Sequence, residues 1–178
     1  MRTKEFCLIV GPSGSGKTTV VEELKRLYGL KDIESYTTRP PRYEGEHGHI
    51  FVTIDDMPSQ EEMVGYTYYN GNYYWSTQAD VVYNDLYVID KAGIEFFKEH
   101  YKGTRPYLIV NIWAPEDIRR QRMLERGDAI AAAQERIEYD KLAFADLEAD
   151  VRINNSGNLH ECVEEFLKYV TLEDKPHD

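Results

Sequence analysis

The chain has 178 residues, 42% of them hydrophobic, and its 32 acidic against 21 basic side chains give a formal charge of −11. That length suits a single domain with a sizeable core, and the acidic balance repels polyanions, which argues against nucleic acid as a partner. No run approaches the ~20 apolar residues of a membrane span, the first four residues lead into a strand without a signal-peptide core, and Cys7 and Cys162 have no metal-ligand spacing, so reduced core thiols and a cytoplasmic protein without a membrane partner are expected.

Phe6–Val10 is an apolar run bounded by charge and glycine, as in a buried parallel strand. Gly11-Pro12-Ser13-Gly14-Ser15-Gly16-Lys17-Thr18 follows and fits the phosphate-loop pattern G-x-x-x-x-G-K-[ST] without a mismatch. Val20, Val21, Leu24 and Leu27 then recur at helical spacing up to Gly29. In this strand–loop–helix order the loop amides and the helix N-terminus form an anion site. The pattern predicts a nucleoside triphosphate here, with Lys17 on its outer phosphates and the Thr18 hydroxyl on Mg²⁺.

Residues 31–38 read as short and extended, and 40–48 as a polar loop. Residues 50–54 are β-branched and read as a strand, and Asp55-Asp56-Met57-Pro58 opens a short helix carrying Glu61 and Glu62. The aromatic run from Tyr66 to Trp75 flanks Asn70-Gly71, a favoured hairpin pair. Residues 34–80 are therefore expected to form a small β-rich insertion. The core pattern resumes with a buried strand over 85–90 ending in a carboxylate, a helix over 92–101 and a central strand over Tyr107–Trp113. Pro115-Glu116-Asp117 opens a helix running to Arg126-Gly127. A second helix covers 129–144, a short strand 151–155, and a last helix shows Leu159, Val163, Phe166, Leu167 and Val170 as one stripe. The tail from Leu172 is polar and expected to fray. The alternation predicts an α/β fold with a largely parallel sheet.

Seven of the eleven arginines are Arg39, Arg42, Arg119, Arg120, Arg122, Arg126 and Arg136. Gathering arginine in two segments of an acidic chain points to anion binding, since guanidinium grips phosphate bidentately. Arg119 and Arg120 fit a solvated helix face equally well. His47 and His49 have no spaced partners that suggest a metal site.

Ser35-Tyr36-Thr37-Thr38-Arg39-Pro40-Pro41-Arg42 with Gly45-Glu46 resembles the substrate-phosphate segment of guanylate kinases, and Gly71-Asn72-Tyr73-Tyr74 with Ser76 resembles their hairpin. Asp90, Arg122, Arg126-Gly127, Arg136 and Asn154 follow in the family's order, so the resemblance spans nearly the whole chain. It implies a P-loop NTPase three-layer α/β fold: a single domain over 1–178, with a core at about 1–33 and 81–178, an acceptor-binding sub-lobe at about 34–80 and a helical lid at about 126–142. It implies transfer of the ATP γ-phosphoryl group to a small nucleoside monophosphate, GMP first. Another nucleotide or a phosphorylated sugar in the same cleft, and a non-catalytic binding module, are the alternatives. ATP would lie on Gly11, Ser13, Gly14, Ser15, Gly16, Lys17, Thr18, Thr19 and Asn154, with Mg²⁺ on Thr18. Lys17, Arg39, Arg126 and Arg136 would serve the transfer, and Arg122 would support the lid. Arg39, Arg42 and Tyr74 would hold the acceptor phosphate, Ser35 and Ser76 would touch its base, and Asp90 would lie near acceptor or metal. The oligomeric state is left open.

The chain departs from the family pattern at four places. His49 stands nearest a tyrosine of the phosphate site, Gly65 where a glutamate reads guanine, Val88 where a second aspartate falls, and Trp75 where a small residue is usual, which is expected to narrow the pocket.

Overall fold

One short strand organises the molecule. In the computed structural model, which describes residues 1–174, β2 (Phe6–Val10) is wholly buried. It lies between β7 (Leu86–Val88) and β8 (Tyr107–Trp113), with β9 (Val151–Asn154) beyond β8, and all four run parallel. Because side chains alternate across a strand, Cys7 and Ile9 face one layer while Phe6, Leu8 and Val10 face the other. The first layer is α1 (Lys17–Tyr28), through Val20, Val21 and Leu24, with α6 (Leu159–Leu167), through Cys162, Val163 and Phe166. The second holds Val81 of α2 (Gln78–Tyr83) and Ile94 and Phe97 of α3 (Lys91–His100). This is the three-layer α/β arrangement expected. Both thiols are free and buried.

A second sheet has the order β4 (His49–Phe51), β3 (Ser35–Thr37), β6 (Asn72–Thr77), β5 (Met63–Tyr69). Asn70 at φ 48° and Gly71 at φ 78° make the tight turn between β5 and β6, the backbone that an Asn-Gly pair tolerates. A small cluster of Met123, Ala133 and Ile137 joins α4 (Glu116–Glu125) to α5 (Ile130–Ala143).

Several local expectations need correction. Leu27 does not join the apolar face of α1; it is 40% exposed. The strand over 50–54 begins at His49 and stops at Phe51, because the Thr53 N–H and hydroxyl both donate to Asp56 and start a 3-10 turn at Ile54–Asp56. A second 3-10 turn, Gln60–Glu62, replaces the short helix. Helix α6 ends at Leu167, short of Val170. Leu172–Glu173 is not frayed: it forms β10, antiparallel to β1 (Arg2–Thr3), and the Lys4 N–H donates to the Thr171 carbonyl at 2.8 Å. The tail beyond 174 lies outside the described residues. Trp75 points away from the hairpin's Tyr74 face, is 2% exposed and stacks on Tyr36 at 5.8 Å, so it narrows no pocket there.

Asp85, 3% exposed, and Arg105 tie the chain start to the sheet. Asp85 accepts from the Thr3 and Lys31 amides and from Arg105 Nη2 at 3.1, 3.0 and 3.1 Å, while Arg105 also donates to the carbonyls of Thr3, Lys4, Val81 and Asn84. Truncating one member of such a pair strands the other charge in a low dielectric, at a cost of about 3–5 kcal/mol. Arg105→Ala is therefore expected to lower the urea midpoint by an amount equivalent to about 3–5 kcal/mol with the slope unchanged. A loss under about 1 kcal/mol, the range of a surface ion pair, refutes that role.

Candidate active site

The phosphate loop takes its shape from two crowded glycines. At Gly11, φ 150°, a Cβ would lie 2.0 Å from the Ile112 carbonyl oxygen. At Gly16, φ 89°, it would lie 2.3 Å from Asn155 Nδ2. A side chain at either point would push the loop off its supports. Lys17 opens α1 and folds back over the loop, donating from Nζ to the carbonyls of Gly11 at 2.6 Å and Pro12 at 3.2 Å. Asn155 Nδ2 donates to the Ser15 carbonyl at 2.8 Å and Arg122 Nη1 to the same oxygen at 3.4 Å. The Ser15 hydroxyl is buried without a partner.

A cavity of about 670 Å³ opens over this loop. Its lining includes Ser13, Gly14, Gly16, Lys17, Thr18 and Thr19 of the loop and α1, and Arg122, Glu125, Arg126 and Arg136. Two of these arginines converge on Asp128: Arg126 binds it through Nε and Nη2 at 2.9 and 2.7 Å, and Arg136 Nη1 stands 3.8 Å away. The Arg126 hydrogen bond holds the Asp128 carboxyl below its usual range. A larger groove, about 760 Å³, lies by Arg2, Val81 and Tyr101 and holds none of the motif residues.

Burial lowers the Lys17 ammonium from its ordinary 10.5 to about 8; the Asp140 charge opposes the shift, and Arg119 and Arg126 add to it. Phosphate binding needs the charged form, so triphosphate affinity measured by calorimetry is expected to fall as pH rises through about 8. The unliganded protein moves the other way. Between pH 8 and 10.5 the unfolded chain binds the lysine proton more tightly, so folding stability from this group rises with pH. Affinity and stability that move together across this window refute the assignment.

The residues expected to bind the acceptor lie outside this cavity and are not all brought together. Arg39 grips Glu46 bidentately, Nη1 and Nη2 at 3.1 and 2.8 Å, with its guanidinium over Phe51 at 5.3 Å. The Arg42 N–H donates to Glu46 at 2.6 Å, and the Arg42 side chain is 74% exposed. Arg39 first, then the Arg42 amide, pull the Glu46 carboxyl down to about 2. Ser35, Tyr74 and Asp90 line a second cavity of about 370 Å³ with Gly65, Tyr66 and Tyr87. Asp90 is also the N-cap of α3, accepting from the Gly93 N–H at 2.7 Å. Ser76 is fully buried, its Oγ without a partner, behind Gly65. His49 meets the Tyr74 ring edge at 5.6 Å, and burial lowers its imidazole below the ordinary value.

Asn154 does not face the phosphate loop; its Oδ1 accepts from Ser156, and Asn155 supplies the loop contact. The alternation in β9 carries that signal, for Val151 and Ile153 are buried while Arg152 and Asn154 are exposed, which turns the next residue inward. Arg119 is no solvated residue. It is 6% exposed and bonds Asp140 at 2.9 Å, and together they hold Ser13. Arg120 does face solvent, paired with Glu116. Tyr87 was not singled out by any motif, yet its hydroxyl lies 3.4 Å from Ser35 Oγ.

A sequence model of the guanylate kinase family matches residues 3–94. A guanylate kinase of Thermotoga maritima is 31% identical over 188 aligned positions, covering 95% of this chain and 87% of that protein. A ribose 1,5-bisphosphate phosphokinase, PhnN, of Enterobacter lignolyticus is 26% identical, covering 94% and 92%. Among solved structures, the guanylate kinase of Anaplasma phagocytophilum shares the fold with a TM-score of 0.60 at 20% identity, over 94% of this chain and 85% of that one.

Proposed function

The chain belongs to the guanylate kinase family of phosphotransferases, and from that membership we propose that it transfers the γ-phosphoryl group of ATP to GMP. One observation carries the reading: a single cavity is lined by the loop residues Lys17 and Thr18 together with Arg122, Arg126 and Arg136. Phosphoryl transfer needs charge neutralisation and alignment more than an acid or base. Lys17 neutralises the outer phosphates. Arg126 and Arg136 leave Asp128 and close on the transferring group, with Arg122 beneath them. Residues 126–142 act as the lid and 34–80 as the acceptor-binding lobe of one domain, so that closure excludes water.

Thr18 is exposed on the first turn of α1 in the cavity wall, beside Gly14, Gly16 and Lys17, so these residues fit Mg·ATP. The Thr18 hydroxyl would hold Mg²⁺, which would supply further charge neutralisation for the transferring group. Arg39 and Arg42 hold the acceptor phosphate, and Ser35 and Tyr74 border its far end; Ser76, fully buried and absent from the cavity lining, does not reach the base. No helix among the described residues is long and apolar enough to cross a membrane.

A second acceptor is favoured by one local feature. A Cβ at Gly65 would lie 2.6 Å from both Ser76 Oγ and the Tyr87 hydroxyl, so a longer side chain has no room there, and the Tyr87 and Ser35 hydroxyls line the cavity where a base-reading carboxylate stands in the resemblance. Hydroxyls both donate and accept, and they discriminate among edges less sharply than a carboxylate does. A phosphorylated sugar, the kind of substrate named for the PhnN relative, also presents hydroxyls to such a surface. A coupled ADP-release assay with Mg·ATP and GMP, dGMP, IMP, AMP, CMP, UMP, dTMP and ribose 1,5-bisphosphate decides. Turnover best with GMP supports the primary reading; turnover best with the sugar bisphosphate supports the second; ATP binding without turnover on any acceptor rejects both.

A further inference from the structure

Apart from a surface ion pair between Lys141 and Glu116 at 3.1 Å, the lid helix is seated by a narrow stripe. Of the fourteen residues in α5, three are buried: Ala133, Ile137 and Asp140, a single stripe at i, i+4 and i+7. The first two belong to the small cluster with Met123. The third is a carboxylate 6% exposed, and it reaches across to the phosphate loop. Asp140 Oδ2 accepts from the Ser13 N–H at 2.8 Å and from Arg119 Nη1 at 2.9 Å; the same Arg119 nitrogen donates to the Ser13 carbonyl at 3.2 Å. One loop residue is thus held on both its amide and its carbonyl by a buried ion pair whose members come from α4 and α5. The α4 backbone is also close, since a Cβ at Gly14 would lie 2.6 Å from the Arg119 carbonyl oxygen.

Asp140 is one helical turn beyond Arg136, on the same face of α5. Arg136 lines the triphosphate cavity, and its near neighbour there is Asp128 at 3.8 Å. With so few seating contacts, the rotation of α5, and with it the aim of Arg136, depends on the grip of Asp140. We propose that Asp140 and Arg119 are positioning residues: a clamp that sets the lid helix against Ser13 and so directs Arg136 into the phosphate cavity. A purely structural ion pair at the lid's root would stabilise the fold and leave the effect of Arg136 untouched. This inference rests on the phosphoryl-transfer reading only for its turnover readout.

The test is a cycle between the clamp and Arg136. Arg119→Met with Asp140→Leu removes both charges at similar volume, so no lone charge is left buried, an exchange that often preserves or raises stability. Mg·ATP affinity by calorimetry and turnover with GMP are read in the parent, in Arg136→Ala, in the clampless pair, and in the pair with Arg136→Ala. The clamp predicts that Arg136→Ala costs about tenfold or more in the parent but less than about twofold without the clamp, the non-additivity of coupled residues. Equal losses in both backgrounds overturn it, as does an Arg136→Ala change without effect in the parent. If the clampless pair fails to give the parent's circular dichroism and melting, Asp140→Asn, which keeps the shape and an acceptor for Ser13, takes its place under the same criterion. A parent that binds Mg·ATP and phosphorylates nothing refutes the proposed function, and the affinity cycle still decides the clamp.

Discussion

Lys17→Ala is expected to cut turnover about a thousandfold, the upper range for removing one preorganised charge from a transition state, in a protein no less stable than the parent. The two halves of that expectation have one cause. The Lys17 ammonium is buried, and burial brings it from 10.5 to about 8, so below pH 8 the folded protein holds a charge it would rather lose. What compensates in the free protein is contact with the Gly11 and Pro12 carbonyls; what compensates in function is phosphate. Alanine removes the unfavourable charge together with the phosphate contact, the stability–activity conflict expected of a site built for a ligand. Steady-state ADP release and thermal melting at pH 7 test both halves. A folded Lys17→Ala protein with turnover within about tenfold of the parent would remove the lysine from the chemistry. A melting point well below the parent's would show that the lysine serves chiefly to brace the loop.

What was legible in the sequence is what is local. The loop from Gly11 to Thr18 is recognisable from its spacing alone, although distant residues hold it in place, and Tyr107–Trp113 is a strand because seven residues in a row suit a buried sheet. The Asn70-Gly71 turn was readable for the same reason. Two features that depart from expectation carry local signals: strand alternation puts Asn155 rather than Asn154 inward, and Thr53-x-x-Asp56 is a capping box that ends β4 early. The remaining features are set by distant partners. Arg119 looks like its neighbour Arg120 until α5 brings Asp140 beside it, 21 residues later. Tyr87 reads as a strand residue until β3 and β6 bring Ser35 and Ser76 towards its hydroxyl. The β1–β10 pair joins residues 2–3 to 172–173, and no window of sequence contains both.

Arg39→Ala is expected to lower kcat/KM for the acceptor about a thousandfold while Mg·ATP affinity stays within about threefold, a loss larger than one missing phosphate contact gives. The excess comes from Glu46. Its side chain is 7% exposed, and Arg39, then the Arg42 amide, hold its carboxyl near 2. Without Arg39 that carboxylate remains, ionised at neutral pH, where the acceptor phosphate must approach. On the proposed reading Arg39 has two tasks, binding the phosphate and masking the carboxylate, and its removal would turn an attractive site into a repulsive one. Glu46→Gln in the Arg39→Ala background should recover part of the loss, about tenfold, by removing the stranded charge. Arg39→Lys should fail to restore the parent, since a point charge cannot hold Glu46 and a phosphate with the planar fork that Arg39 uses. The sign with pH follows the same logic. With Arg39 gone the Glu46 value rises towards the ordinary carboxylate range, so the variant's deficit narrows as pH falls through that range, whereas in the parent Glu46 stays ionised there. An Arg39→Ala protein whose acceptor kcat/KM is within about threefold of the parent, or whose loss is untouched by Glu46→Gln, would break the link between the arginine pair and the acceptor phosphate.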